Sequence, residues 1–385
     1  MNKGYNERII PFEKLNIVKG ENYKVYLYTN SNCELIFTML DFVWFEKKKK
    51  IKCVAWDLDN TLWNGVFIED KVTFKDGIID VIKELDARGI VNSIVSKNNE
   101  QDIMKFLKKN KIDEYFVMPQ INWEPKSINI SNLAKQMNIG MDTIAFIDDN
   151  PFEREEVLSK NSDLNVYHDD EYVNLLSYPE FQVIVTEDTK NRRKTYKMLE
   201  QQNKEFEKFS GDIDDFLREC KMKATIRTPK KDEYNRCYEL IQRTNQLNSS
   251  GRRLTLEQLN DIFEDKNYDT YLIQVEDKFG NYGIVGFSIV DISSEPVITD
   301  FVISCRVANN KVEHTYILYL ANKYKAKGYK KLKINYTKTS KNGPVFKVVS
   351  DLNLVKLSSD NDTAVYYLDL TKDIQKIDIM QVKEK

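Results

Sequence analysis

Histidine is nearly missing from this chain. Its 385 residues hold two, His168 and His314. No multi-histidine metal centre can be built, and any histidine-based triad is confined to those two positions. An excess of charge of one sign is also missing. The 58 basic side chains are matched by 60 acidic ones, a formal net charge of −2, which argues against a protein whose main work is gripping nucleic acid. Long apolar runs are absent as well. None approaches the roughly 18 residues that a transmembrane helix needs, and the best, Glu34 to Phe45, carries Asp41. The N-terminus, MNKGYNERIIPF, lacks the apolar block and cleavage site of a signal peptide. Five cysteines (Cys33, Cys53, Cys220, Cys237 and Cys305) are scattered without a C-x-x-C pair, which is neither a zinc pattern nor a disulfide framework. The expectation is a cytoplasmic chain with reduced thiols, whose partners include no membrane and no nucleic acid.

What is present is an ordinary globular balance, 41% hydrophobic and 31% charged, in a length that suggests about two or three domains. Residues 1–50 read as a lead-in ending in the basic run Lys47–Lys50, taken as a solvated linker. From 51 to 184 apolar runs alternate with helical spacing. Candidate strands are Ile51–Trp56, Ile90–Val95, Tyr115–Met118 and Thr143–Ile147. Candidate helices are Asp76–Arg88, with Gly89 as C-cap, Glu100–Asn110 and Ser127–Met137. This alternation predicts βαβ units and a parallel, Rossmann-like sheet. The charge-dense stretch 185–222 reads as an amphipathic helical connector. A second module, α+β, is expected over 223–370, with strand and helix order β-α-α-β-β-β-α-β-α-β. The polar tail 371–385 is expected to fray.

The strongest chemical signal is VAWDLDNTLW, Val54 to Trp63. Buried apolar residues lead straight into Asp57, Asp59 and Asn60, and ligands bind at the C-terminal ends of strands in a parallel sheet. Of two carboxylates two positions apart, one can attack phosphorus and the other can give or take a proton at the bridging oxygen. Three further pieces follow in order. Ser96 ends a strand and is followed by Lys97 and Asn98. Lys126 opens a helix, where an ammonium can neutralise phosphoryl charge. Asp148 and Asp149 end another strand, where they can hold Mg²⁺ with Asp57, since carboxylate oxygens suit that ion.

The four pieces, in this order, resemble the haloacid dehalogenase (HAD) superfamily over about 51–176. The resemblance implies Asp57 as nucleophile and Asp59 as general acid/base. It also implies phosphate holding by Asn60, Ser96, Lys97, Asn98 and Lys126, and Mg²⁺ held by Asp57, Asp59, Asp148 and Asp149. Only 37 positions separate Asp59 from Ser96, and 22 separate Lys126 from Asp148, so neither gap has room for a large cap domain. The site is expected to be open to bulky or protein-borne substrates.

A closer resemblance rests on CVAWDLDNTLWNGVFIED, IVSKNNE, INWEPKS, IGMDTIAFIDDNPFEREEV, GDIDDFLRECKMKATIR, IQRTNQLNSSGRRLT and FVISCRVANNKVEH. Together these are similar to the FkbH-like family over about 52–354. That resemblance implies a HAD-like domain with minimal cap fused to an acyl-CoA N-acyltransferase (GNAT)-like domain. The implied activity takes a glyceryl unit from 1,3-bisphosphoglycerate, a small phosphorylated substrate, and loads it as a thioester on an acyl carrier protein. A GNAT-like fold is shaped to cradle the carrier's pantetheine arm between splayed strands. Cys305, in SCRV just before a helix, is the first choice for a catalytic thiol, because Arg306 and a helix N-terminus would lower its pKa. A small core residue is the alternative. The loop 306–311 lacks the glycines that cradle pyrophosphate in acetyl-CoA-using relatives, which puts ordinary acetyl-CoA chemistry in doubt. Arg252-Arg253 could face an anionic carrier or simply solvent. His314 reads as an exposed helical residue, with activation of a thiol as the alternative, and His168 as a loop residue without a role. A HAD-type phosphatase with the second domain as cover is the competing expectation.

Overall fold

The segment Cys53-Val-Ala-Trp56 is buried at every position, as expected of a strand covered on both faces. The computed structural model describes residues 48–69, 71–376 and 378–384. Most of the lead-in, Cys33 included, lies outside the described residues. In the first module the strands are β1 (Cys53–Trp56), β2 (Trp63–Asn64), β3 (Thr73–Phe74), β4 (Val91–Ser96), β5 (Gln120–Ile121), β6 (Ile144–Asp148) and β7 (Asn165–His168). The helices are α1 (Ile78–Ala87), α2 (Glu100–Lys109), α3 (Lys126–Met137) and α4 (Pro151–Lys160). Five strands form a parallel sheet in the order β5-β4-β1-β6-β7. Alternation along β1 sends Val54 and Trp56 into one apolar layer and Cys53 and Ala55 into the other. The Trp56 indole donates to Asn92 Oδ1 at 2.9 Å, and the Asn92 amide donates to the Ile82 carbonyl at 3.1 Å, so one buried polar pair ties β1, β4 and α1 together.

Two local expectations change. The strand expected at Tyr115–Met118 is displaced to β5, because Asp113–Tyr115 forms a 3₁₀ turn and Met118 takes a left-handed φ of 48°, which breaks an extended ladder. After Asp149, where no helix is among the candidates, α4 opens: Asn150 accepts from the Phe152 N–H and Pro151 sits in the first turn.

The connector is helical, in α5 (Glu187–Lys190), α6 (Arg192–Glu207) and α7 (Ile213–Glu219). The second module contains strands β8 (Met222–Arg227), β9 (Tyr268–Asp277), β10 (Gly280–Asp291), β11 (Val297–Ile303), β12 (Lys331–Thr337), β13 (Val355–Asp360), β14 (Thr363–Asp369) and β15 (Met380–Glu384). Its helices are α8 (Tyr234–Arg243), α9 (Leu256–Glu264), α10 (Val312–Ala326) and α11 (Gly343–Asp351). The eight strands order as β13-β14-β12-β11-β10-β9-β8-β15. This is the mixed α+β module expected, with two strands more than the expected six: β13, which pairs antiparallel with β14, and β15 in the tail. The tail does not simply fray: β15 pairs in parallel with β8 and covers that edge.

Residues 48–385 pack as one unit. Arg192 of α6 holds the two modules together, donating to the Gly89 carbonyl at 2.8 Å and to Glu239 of α8. Gly89 has φ +67°, and a Cβ there would lie 2.7 Å from the Thr189 carbonyl oxygen, so this turn and the start of the connector require glycine. The basic run is not simply solvated: Lys48 pairs with Glu180 at 3.4 Å and Lys49 with Asp142 at 2.8 Å. Among the described residues no helix is long and apolar enough to cross a membrane.

Candidate active site

At the C-terminal end of the parallel sheet, Asp57 follows β1, Ser96 ends β4, Asp148 ends β6 and Lys126 opens α3. All four side chains are buried. The Lys126 ammonium is the hub. It lies 2.8 Å from Asp57 Oδ1, 2.6 Å from Asp148 Oδ2 and 2.5 Å from Glu153 Oε2. Burial by itself would lower the lysine's pKa, but the three carboxylates outweigh it and hold the ammonium above its usual range. Burial is also the largest effect on Asp57. Lys126 opposes it and Asp148 adds to it, leaving the Asp57 carboxyl pushed up to about 6. Asp148 is raised by burial in the same way, against Lys126. Glu153 is lowered: Lys126 and Lys97 overcome its burial.

Asp57, Asp148 and Asp149 each offer an oxygen, and these atoms lie within 4.8 Å of one another. An oxygen-only carboxylate set suits a hard divalent cation such as Mg²⁺, so the donors present fit the ion the fold implies. Asp59 is not in this group. Its Oδ1 accepts from the Trp63 indole at 2.9 Å and the Phe67 N–H at 2.8 Å, and its Oδ2 from the Asn98 amide at 3.0 Å. That arrangement anchors the small flap of β2 and β3, where Trp63, Phe67 and Phe74 cluster with Phe106, and keeps Asp59 off the metal-donor group.

The other expected phosphate holders divide. Asn98 reaches Ser96 Oγ at 3.3 Å as well as Asp59, so both are inside the constellation. The Lys97 ammonium is turned away onto Glu153 Oε1 at 2.8 Å. Asn60, at φ 56°, uses its side chain to accept from the Gly65 N–H at 3.1 Å and closes the flap turn. Three contributors were not expected. Glu153 supplies a third carboxylate to Lys126. Thr61 accepts from the Asp149 N–H at 3.0 Å. Arg154 donates to the carbonyls of Asp148 and Asp149 at 2.6 and 2.7 Å. Glu153 and Arg154 are placed by the start of α4, whose Asn-Pro signal was visible in the sequence.

Cys305 lies elsewhere. It lines an inter-module cavity with Lys52, Arg192, Tyr196 and Arg306. Lys52 precedes β1 and Asp57 follows it, so the thiol faces the opposite end of the sheet, about 16 Å away along an extended strand. Its Sγ is 3.5 Å from the Tyr196 hydroxyl. Burial would raise the thiol, but Lys52, the Tyr196 hydroxyl, Arg306 and Arg192 together lower it. Cys53, Cys220 and Cys237 are buried, and burial raises all three thiols.

The splayed strands of the second module also differ from expectation. β11 and β12 pair only at Val297–Lys333 and Ile298–Ile334, then diverge. The gap is filled by the chain itself. Ser249 N–H donates to the Phe301 carbonyl at 3.0 Å, Ile303 N–H to the Leu247 carbonyl at 2.9 Å, and Thr337 N–H to the Ser249 carbonyl at 2.8 Å. The backbone groups a pantetheine arm would use are therefore already satisfied. Nearby, Arg252 pairs with Asp300 and Arg253 donates to the Thr244 carbonyl at 2.9 Å, and both residues remain exposed. Glu313, in the first turn of α10, is buried and pushed up to about 7 by that burial; a buried carboxyl there does not suit a pyrophosphate. His314 is 7% exposed and paired with Asp351 at 3.1 Å, not a surface residue. His168 caps the 3₁₀ turn Asp169–Val173.

Residues 21–168 match the family model described as haloacid dehalogenase-like hydrolase, so the first module is a HAD-type hydrolase domain. Among solved structures, the N-terminal part of a Bacteroides fragilis protein, containing a phosphatase domain complexed with Mg, is 30% identical, with a TM-score of 0.29. The match covers 36% of this chain and 41% of that one, less than half of its length. The 3-deoxy-D-manno-octulosonate 8-phosphate phosphatase of Moraxella catarrhalis, in complex with a magnesium ion, a phosphate ion and a KDO molecule, is 22% identical over 29% of this chain and 64% of that one, with a TM-score of 0.24. The ribosomal-protein-S18-alanine N-acetyltransferase of Escherichia coli is 10% identical over 38% of this chain and 94% of that one, with a TM-score of 0.31. No curated protein matches the chain.

Proposed function

We propose that the carboxylate site cleaves a phosphate ester of a small phosphorylated substrate, with Mg²⁺ bound by Asp57, Asp148 and Asp149. The observation that carries this reading is the Lys126 ammonium held among Asp57, Asp148 and Glu153 at 2.5–2.8 Å. An Asp57 oxygen attacks phosphorus, the bond from phosphorus to the bridging oxygen breaks, and Asp59 gives that oxygen its proton. Water then releases phosphate from the aspartyl phosphate, with Asp59 taking the water's proton. Ser96, Asn98 and Lys126 hold the phosphoryl oxygens. The metal supplies charge neutralisation, without which the clustered carboxylates would repel the anionic substrate.

The finer reading is glyceryl transfer from 1,3-bisphosphoglycerate to an acyl carrier protein. It requires two distinct steps. A thiol attacks the acyl carbon and expels phosphate, which conserves the activated carbonyl, while attack at phosphorus by Asp57 on that same bond would discard it. Asp57 therefore acts on the remaining phosphate ester. The separation of the lowered Cys305 thiol from the carboxylates supports this division of labour. The filled gap between β11 and β12 favours a second reading, a phosphatase whose second module serves as cover. Intact-protein mass spectrometry separates the two. The enzyme is mixed with Mg²⁺, a 1,3-bisphosphoglycerate-generating system and a phosphopantetheinylated carrier, with Asp57→Asn and Cys305→Ala as controls. Glyceryl transfer predicts a glyceryl-sized increment on the carrier; phosphate release with no increment on either protein leaves the phosphatase reading.

A further inference from the structure

The inter-module cavity has an unusual charge balance. Its volume is about 50 Å³, several times the roughly 10–15 Å³ that one water requires, so a group the size of a phosphoryl fits. Cations line it: Lys52, Arg192, Arg236, Arg243, Arg306 and Lys341, the last already paired with Asp142. Glu239 is the only carboxylate among the lining residues. That carboxylate is already engaged by Arg192, by Arg236 at 2.5 Å and by the Thr186 hydroxyl at 3.0 Å.

Two guanidinium groups are left with unused N–H bonds. Arg306 is 2% exposed. Its Nε donates to Ser304 Oγ at 3.1 Å and its Nη1 to Thr195 Oγ1 at 3.3 Å, but its Nη2 has no hydrogen-bond partner among the described residues. The Arg243 side chain is 9% exposed, and its Nη1 is in the same condition. Glu239 lies 3.9 Å from that nitrogen, beyond hydrogen-bond reach. Buried donors of this kind cost free energy unless something accepts from them. The uncompensated positive charge registers elsewhere too. Burial, reinforced by Arg192, pushes Arg243 down to about 9, and burial with Arg236 and Arg192 pushes Arg306 down to about 10.

We infer that this cavity is a binding site for a phosphoryl group, clamped by Arg306 and Arg243 of the second module where it meets the first, with Cys305 in its wall. The inference does not depend on the glyceryl reading. Arginine rather than lysine at both free positions suits a tetrahedral dianion that accepts from planar forks. The source is either free phosphate or the phosphate of a small ester, and the site recognises the chemistry they share.

The test uses Cys305 as a reporter, in full-length Asp57→Asn protein with chelator so that the carboxylate site is silenced. Alkylation of Cys305 by iodoacetamide is followed by peptide mass spectrometry. The additions are inorganic phosphate, glycerol phosphate, or chloride at matched ionic strength. We expect saturable slowing of at least tenfold by phosphate, the ester or both, with none from chloride. Protection by phosphate alone identifies free phosphate as the ligand; protection by the ester alone identifies a phosphorylated small molecule. Arg243→Gln and Arg306→Lys should each weaken the apparent affinity about tenfold. Equal slowing by chloride, or protection unchanged in both arginine variants, overturns the inference. If Cys305 does not react in the absence of additions, isothermal titration calorimetry replaces labelling, and absence of binding heat with both phosphate and the ester overturns it as well.

Discussion

Replacing Lys126 with methionine keeps the side chain's length and apolar stem while deleting the one cation that Asp57, Asp148 and Glu153 share. The lysine is 2% exposed, so water cannot take its place at low cost. Removing one partner of a buried ion pair typically costs about 3–5 kcal/mol. At about 2 °C per kcal/mol in a chain this long, the melting temperature in chelator should fall by about 6–10 °C. Mg²⁺ should recover part of that loss. With one positive charge gone, the carboxylates attract the cation more strongly, so the stabilisation at a given Mg²⁺ concentration should be larger in the variant than in the wild type. Saturation to 100 times the dissociation constant is worth about 2.7 kcal/mol. Phosphatase turnover should nevertheless drop about 100- to 1,000-fold, because a preorganised positive charge at the phosphoryl oxygens is lost. Differential scanning fluorimetry with and without Mg²⁺, together with phosphate release, reads both effects. A melting temperature unchanged in chelator, or turnover within twofold of wild type, would refute the reasoning.

Three other outcomes follow from the same geometry. Asp57, pushed up to about 6, binds its proton more tightly folded than unfolded, so it penalises the fold as pH rises from about 4 through 6. In chelator, Asp57→Asn should therefore gain about 2 kcal/mol relative to wild type as pH rises from 4.5 to 7, measured by urea denaturation; no pH-dependent difference contradicts it. Gly89→Ala forces an L side chain to φ +67° and against the Thr189 carbonyl, and should cost about 1–3 kcal/mol in the same assay. Deleting residues 379–385 removes β15 and bares the edge of β8; size-exclusion chromatography should show concentration-dependent association.

Much of the first module was legible because its signals are local. A buried run ending in Asp57-Leu-Asp59, a strand ending at Ser96, a lysine opening a helix and a strand ending in Asp148-Asp149 each announce themselves within ten residues. Their order along the chain suffices to bring them together in a parallel sheet. Glu153 was not legible, because its part in the site depends on α4 existing and on its third position facing Lys126. The tail was misread because β15 is polar and exposed, and only its pairing with β8 makes it a strand. Cys305 shows the limit most clearly. Its neighbours Lys52, on one side, and Arg192 and Tyr196 of α6, on the other, come from two distant stretches, and no local pattern foretells that they surround a thiol. Nor could spacing reveal that residues 247–249 fill the gap between β11 and β12.

The central claim is that Asp57 attacks phosphorus. Rapid-quench intact-protein mass spectrometry, with Mg²⁺ and a small phosphate ester in slight excess, tests it directly. The account predicts a transient phosphoryl-sized increment that maps to Asp57, is absent in Asp57→Asn and persists longer in Asp59→Asn, where the water that releases phosphate lacks its base. Full turnover by Asp57→Asn with no increment at any time point would contradict it.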